Sequence, residues 1–335
     1  MIGLTGLGVH LPAGRTTASE IAAASGLPEW VVRDKLGITS KPVAGPEDQP
    51  TAMGVLAARE ALTDAGITVA DVDVVICMTE EYKEYPVWTA GIKLAHDLGA
   101  TNAYAYDIGQ KCGTAVLALK QARDLLRADP HVNTVLVAGG YRNGDLIDYT
   151  DPNVRFMYNL GAGGAAAVVQ RGAKKNRILE SAVRTDGSFS LDVLVPVGGT
   201  VEPVTQANAS EFRLQVPDPP GMKERLEQKS LDNFIVVVEE AVKRSGRSLA
   251  DIAHLAMLHI KPSAHRHLLD RLGLAEERSI YLSDYGHIGQ IDQILSVKLA
   301  REAGRLKDGD LVVLVAAGVG YVWNALCIEW GAGER

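Results

Sequence analysis

Residues 104–120 read Tyr104-Ala-Tyr-Asp107-Ile-Gly-Gln-Lys-Cys112-Gly-Thr-Ala-Val-Leu-Ala-Leu-Lys120. A short apolar run ends at Asp107, a few polar residues follow, and after Cys112 the apolar residues Val116, Leu117, Leu119, Ala122, Leu125 and Leu126 recur at helical spacing. The order is strand, sharp turn, cysteine, buried helix. A cysteine on the first turn of a helix meets free backbone N–H groups and the positive end of the peptide dipoles, and both favour thiolate. The position therefore suits a nucleophile. It equally suits a small buried residue, which is what most free cysteines are.

Outward from this stretch the chain repeats itself. Leu62-Thr-Asp-Ala-Gly-Ile-Thr-Val-Ala-Asp71 matches Val242-Lys-Arg-Ser-Gly-Arg-Ser-Leu-Ala-Asp251, and each is followed by an apolar strand, 72–78 and 252–258. The next helix ends in Leu98-Gly99 in one half and Leu272-Gly273 in the other, and a strand and turn then lead to Cys112 and to His287. Val135-Leu-Val-Ala-Gly-Gly140 resembles Val313-Leu-Val-Ala-Ala-Gly318. The pattern predicts two alternating β/α units with mostly parallel sheets, 1–172 carrying the cysteine and 173–335 carrying the histidines, joined near 171–176. Further strands are expected over 2–9, 134–140 and 161–169, a helix over 51–65 capped by Gly66, and another over 88–98. The polar, proline-bearing stretch 200–222 is expected to cover a site. In a pseudo-twofold pair of units the helix starts after Cys112 and His287 meet near the axis. His259 follows a strand at its carboxyl end, where α/β folds place ligands. Cys112, His259 and His287 are thus expected to converge.

Composition bounds the function. The chain has 335 residues, 47% hydrophobic and 22% charged, enough for a large core, and a net charge of −7. That balance points away from nucleic acid and from an anionic membrane surface. The three cysteines, Cys77, Cys112 and Cys327, have neither disulfide-framework nor zinc spacing, which fits a reducing cytoplasmic compartment. The N-terminus lacks the basic segment of a signal peptide, and the longest apolar run, 311–323, is too short for a bilayer.

These motifs together resemble the thiolase superfamily, and within it the β-ketoacyl-ACP synthase III branch. The marks are Ile2-Gly-Leu-Thr-Gly-Leu-Gly-Val-His-Leu-Pro12, Glu29-Trp30, Leu36-Gly-Ile38, the run Asp107 to Thr114, the Gly-rich segment 160–169, Leu258-His259, Tyr285-Gly-His287 and Gly318-Val-Gly-Tyr-Val-Trp323. The resemblance implies a five-layered α-β-α-β-α fold, a homodimer, and acyl transfer from CoA or acyl carrier protein (ACP) onto Cys112, followed by decarboxylative Claisen condensation with a malonyl thioester. No permanently bound cofactor or metal is implied. The resemblance implies an oxyanion hole from the N–H of Cys112 and the Gly318–Gly320 loop, and an enolate oxygen that accepts hydrogen bonds from His259 and His287. It implies contact of Trp30 with the adenine of CoA and places Tyr85 in a loop that reaches across the dimer.

The chain departs from the family pattern at several points. His287 stands where asparagine is usual, so that the set becomes Cys-His-His as in the chain-elongating branch. His259-Ile-Lys-Pro-Ser263 replaces a His-Gln-Ala-Asn run, and Lys111 precedes the nucleophile. Glu80, Glu81, Lys83 and Glu84 load the substrate-side loop with charge. Lys35, Arg155 and Arg266 are candidates for phosphate contact or plain surface charge, and His265-Arg-His267 reads as a helix face. Asp284 and Asp292 flank His287 and suit either an orienting or a capping role. Other readings are transfer from the acyl-cysteine to a hydroxyl or amine, a condensation like that of hydroxymethylglutaryl-CoA synthase, and a non-catalytic dimer partner.

Overall fold

The computed structural model describes residues 1–332. The strands are β1 (Ile2–His10), β2 (Arg15–Thr17), β3 (Ser40–Pro42), β4 (Val74–Met78), β5 (Tyr104–Ile108), β6 (Thr134–Tyr141), β7 (Gly163–Arg171), β8 (Arg177–Thr185), β9 (Ile252–Met257), β10 (Leu311–Gly318) and β11 (Val322–Glu329). The α-helices are α1 (Ala18–Ser25), α2 (Pro50–Ala65), α3 (Ala90–Leu98), α4 (Thr114–Ala128), α5 (Pro219–Arg244), α6 (Pro262–Leu272) and α7 (Asp292–Glu302).

Nine strands run in the order β5-β4-β6-β7-β1-β8-β11-β10-β9, and β2 pairs with β3. The pairing pattern occurs twice. β4 is parallel to β6, which is antiparallel to β7, which is antiparallel to β1. Likewise β9 is parallel to β10, β10 antiparallel to β11, and β11 antiparallel to β8. The two runs join where Gly3 lies opposite Arg177.

The strands are apolar on both faces because both faces are covered, and the period of two sorts their side chains between layers. Val74, Ile76 and Met78 of β4 point into a central core shared with Val116 and Leu119 of α4 and Ile294 and Leu295 of α7. Val75 and Cys77 point the other way, onto Ala58 and Leu94 of α2 and α3. In the second run Val312 and Leu314 face the central core, whereas Val313 and Val315 face α5 and α6. The layers are therefore α2/α3, sheet, α4/α7, sheet, α5/α6: the five-layered thiolase-like α/β fold.

Local chemistry explains the repeated ends. Gly66, Gly99 and Gly273 close α2, α3 and α6 with φ near +70 to +80°, the left-handed cap that glycine adopts without a Cβ penalty. The matched decapeptides each finish in a short 3₁₀ turn closed by a capping box, Thr68 with Asp71 and Ser248 with Asp251, just before β4 and β9. One local expectation is altered: α4 starts at Thr114, so Cys112 sits in a 3₁₀ turn, Lys111–Gly113, ahead of the helix.

Candidate active site

Cys112 is delivered by a tight turn. Lys111 has φ +53°, a left-handed conformation rare for a residue with a Cβ, and it bends the chain between β5 and α4. The turn is tied by Thr114, whose Oγ1 accepts from the N–H of Gln110 at 2.7 Å and donates to the carbonyl of Lys111 at 2.6 Å. Gly318, at the end of β10, lies so close that a Cβ there would occupy the carbonyl oxygen of Gln110. Gly320 follows with φ +131°, which favours glycine. The candidate oxyanion loop is thus packed against the residues that lead into Cys112.

His287 arrives from the other half of the chain. Its N–H donates to the carbonyl of Asn159 and its own carbonyl accepts from Gly161, each at 2.8 Å, so the segment 159–161 holds it like a short parallel strand. Its Nε2 is 3.1 Å from the Sγ of Cys112 and its Nδ1 is 2.6 Å from Oδ2 of Asp292. Asp292 is fully buried; its Oδ1 also accepts from the N–H of Ile288 and its Oδ2 from the N–H of His259. Burial alone would lower the basicity of His287. The negative charge that Cys112 carries when ionised, then that of Asp292, and the hydrogen bonds to both outweigh it and hold the imidazole well above its ordinary value. The arrangement is a nucleophile, a proton-holding imidazole and an orienting carboxylate.

His259 is equally buried but faces elsewhere. Its Nε2 is 3.0 Å from the carbonyl oxygen of Gly37, and its Nδ1 is 2.8 Å from Nδ2 of Asn159. The ring is therefore the neutral tautomer that donates from Nε2 and accepts at Nδ1. Burial pushes its pKa down to about 4. Both ring nitrogens are engaged, which differs from the expected aim of two imidazoles at one enolate oxygen.

Two residues of this assembly escaped the sequence reading. Asn159 bridges the histidines, through its amide to His259 and its carbonyl to His287. Lys41 is almost fully buried, with Nζ donating to the carbonyls of Tyr158 at 2.7 Å and Leu160 at 2.5 Å, on either side of Asn159. Burial pulls its pKa down to about 7. A lysine two residues before a valine and an asparagine two before a glycine carry no local mark of such roles. Trp30, Tyr85, Arg155 and Arg266 all stand exposed, Trp30 just ahead of the turn Val31–Lys35 and Arg266 on α6 beside buried His265.

A cysteine paired with an imidazole on the turns that lead into the two central helices of a five-layered thiolase-like fold is the arrangement of the condensing acyltransferases of the thiolase superfamily. Residues 106–187 match the family model for 3-oxoacyl-[acyl-carrier-protein] synthase III, and residues 242–330 match that for its C-terminal part. The chain is 30% identical over 312 residues to the β-ketoacyl-[acyl-carrier-protein] synthase III of Syntrophomonas wolfei, covering 90% of this chain and 89% of that one. It is 27% identical to the enzyme of that name from Symbiobacterium thermophilum, across 98% of both chains. The crystal structure of the Thermus thermophilus synthase III superposes with a TM-score of 0.85 at 25% identity, covering 99% of this chain and all of that one. The chain belongs to the β-ketoacyl-ACP synthase III family and is an acyltransferase of that condensing type.

Proposed function

We propose that Cys112 takes an acyl group from a CoA or ACP thioester and passes it to the enolate of a malonyl thioester. The observation that carries this is the Cys112–His287–Asp292 chain of contacts. A thiolate paired with an imidazolium attacks the thioester carbonyl. The oxyanion is held by the N–H of Cys112 and one from the 318–320 loop, the C–S bond breaks, and the donor thiolate leaves to take a proton from solvent. Asp292 keeps the His287 proton after the Cys112 charge has gone. When the malonyl thioester sheds carbon dioxide, the electron pair of the broken C–C bond forms an enolate, whose oxygen accepts from Nε2–H of His287. The enolate carbon attacks the acyl carbonyl and Cys112 leaves as thiolate, again opposite the imidazolium. His259 and Asn159 position His287 in this reading, and Trp30, Arg155 and Arg266 serve the CoA or ACP arm from the surface.

The same geometry favours one second reading. If His287 loses its proton after loading, its Nε2 becomes a base that Asp292 orients, and the acyl group goes to a hydroxyl or amine. Carbon dioxide release from malonyl-CoA by the acyl-loaded protein separates the two: stoichiometric release supports condensation, and none supports the alcohol or amine acceptor.

We further propose that the halves 1–172 and 173–335 act as one cytoplasmic unit that pairs with a second copy along β5. β5 is an edge strand, and Tyr85, Val87, Ile92 and Tyr104 expose apolar surface around it. Sedimentation of the protein as a 1:1 pair, lost on Tyr104→Lys, tests this.

A further inference from the structure

The turns that follow β5, β4 and β6 lie together, because these strands are parallel neighbours: Met78 is opposite Ile108, and Cys77 is opposite Ala138. Cys112 follows β5, Glu80 follows β4 and Asn143 follows β6. A fourth residue joins them from the His287 side. Gln290, fully buried, donates from Nε2 to the carbonyl of Gly140 at 3.2 Å, with the carbonyl of Met78 at 3.5 Å. Tyr141 lies between these groups, its ring 6.4 Å from that of His287 and pressed against Gly289. Its phenol is held neutral by burial first, and then by the negative charges of Cys112, Glu80 and Asp292 around it.

Three buried oxygens of this cluster have no hydrogen-bond partner among the described residues: Oε1 of Glu80, Oδ1 of Asn143 and Oε1 of Gln290. Each such atom costs about 1–3 kcal/mol if it stays unpaired, so their gathering beside the nucleophile marks a place where something donates to them. Charge decides what. A carboxylate would face three acceptors. An ammonium would face Lys111, whose Nζ is 3.8 Å from Oε2 of Glu80 and also pairs with Glu81. An alkyl chain would bury the oxygens unsatisfied. A hydroxyl donates to one of them and accepts from a neighbour. Asn143 suits that neighbour, since its amide carries N–H donors beside the unpartnered oxygen. Tyr82, in the same turn after β4 as Glu80, has its ring 6.2 Å from that of Phe212 in the 200–222 stretch.

We propose that the place where Cys112, Glu80, Asn143 and Gln290 come together is an acyl-group site selective for a hydroxyacyl thioester, with the hydroxyl close to the thioester carbonyl. This rests on the reading of Cys112 as the acylated residue and deepens it by naming the acyl class. Glu80 and Asn143 are the specificity residues.

The test compares affinities without any acyl transfer. Cys112→Ala protein is titrated calorimetrically with butyryl-CoA and with each enantiomer of 3-hydroxybutyryl-CoA. One hydroxy enantiomer binds at least about tenfold more tightly than butyryl-CoA, because only it pairs the buried oxygens. Glu80→Leu and, separately, Asn143→Leu in the same background bring that ratio to within about twofold of one. Equal affinities, no binding of either thioester, or a preference that both variants leave intact would overturn the proposal and assign the three oxygens to water. A Cys112 that accepts no acyl group would overturn the transferase reading instead, and this affinity ratio is measured independently of it.

Discussion

The Nε2 of His287 lies 3.1 Å from the Sγ of Cys112, although 175 residues separate the two in the chain. The contact is possible because each residue sits on the turn before a helix of the central layer, α4 or α7. It makes His287, expected from the resemblance only as a hydrogen-bond donor to the enolate, a partner of the nucleophile as well. His287→Ala and Asp292→Asn should each slow acylation of Cys112 about a hundred- to ten-thousandfold, the usual span for a lost proton-handling group. With the acyl group preloaded, His287→Asn should keep part of the carbon dioxide release, since an amide N–H still donates to an enolate, and His287→Ala should not. Single-turnover acylation and carbon dioxide assays on the three variants check this. Equal loss of release in His287→Asn and His287→Ala would favour a base acting on an alcohol or amine.

Gly318→Ala places a methyl group against the carbonyl of Gln110, two residues before the nucleophile. The turn must shift, and a displacement of about 1 Å costs roughly a hundredfold in rate when reacting atoms lose alignment. Acylation should slow by that order while thermal unfolding stays cooperative. Wild-type acylation by Gly318→Ala would separate the 318–320 loop from oxyanion stabilisation.

Cys77 and Cys327 are buried, and burial raises both thiols, that of Cys327 to about 11. Cys112 is partly exposed and faces an imidazole. Iodoacetamide at neutral pH should therefore modify Cys112 first, as peptide mapping would show. Prior modification of either buried cysteine would contradict the site geometry.

Stability should fall in mild acid. Burial holds the pKa of His254, His259 and His265 near 4, below the value of 6.5 that they regain on unfolding. Between these limits the unfolded chain binds more protons, so stability is fully present above pH 6.5 and is lost as pH falls toward 4. Each histidine contributes up to about 1.4 kcal/mol per pH unit. His287 acts in the opposite sense: its folded value is raised, so its contribution is present below pH 6.5 and is lost as pH rises through that raised value. The Tm measured from pH 7 to 4.5 should drop steeply, and His254→Asn, within β9, should flatten the slope by one proton. A level Tm across this range would contradict the burial of neutral histidines.

Much of the fold was legible because its signals are local. The matched decapeptides 62–71 and 242–251 carry their own capping boxes, and Gly66, Gly99 and Gly273 announce helix ends. The five-layer architecture came from the resemblance, and alternate strand residues sort into the cores that it requires. The site was legible only in part. Cys112 and His287 stood out as reactive types at corresponding turns, and Asp292 was an open choice between orienting and capping. Which way His259 faces depends on Gly37 and Asn159, 222 and 100 residues away, and no periodicity encodes that. Lys41 carried no mark in the sequence and Glu80 read as one charge of a polar loop; charge ordinarily means exposure, and only tertiary packing buries these two.

The central claim is that Cys112 carries the acyl group, and intact-mass spectrometry tests it most directly. Wild-type protein and Cys112→Ala are incubated with a panel of acyl-CoA thioesters and weighed. The wild type should gain the mass of one acyl group, mapped by peptide analysis to Cys112, and Cys112→Ala should gain none while unfolding as cooperatively as the wild type. An adduct on Cys112→Ala, or an unchanged wild-type mass across the whole panel, would contradict the account.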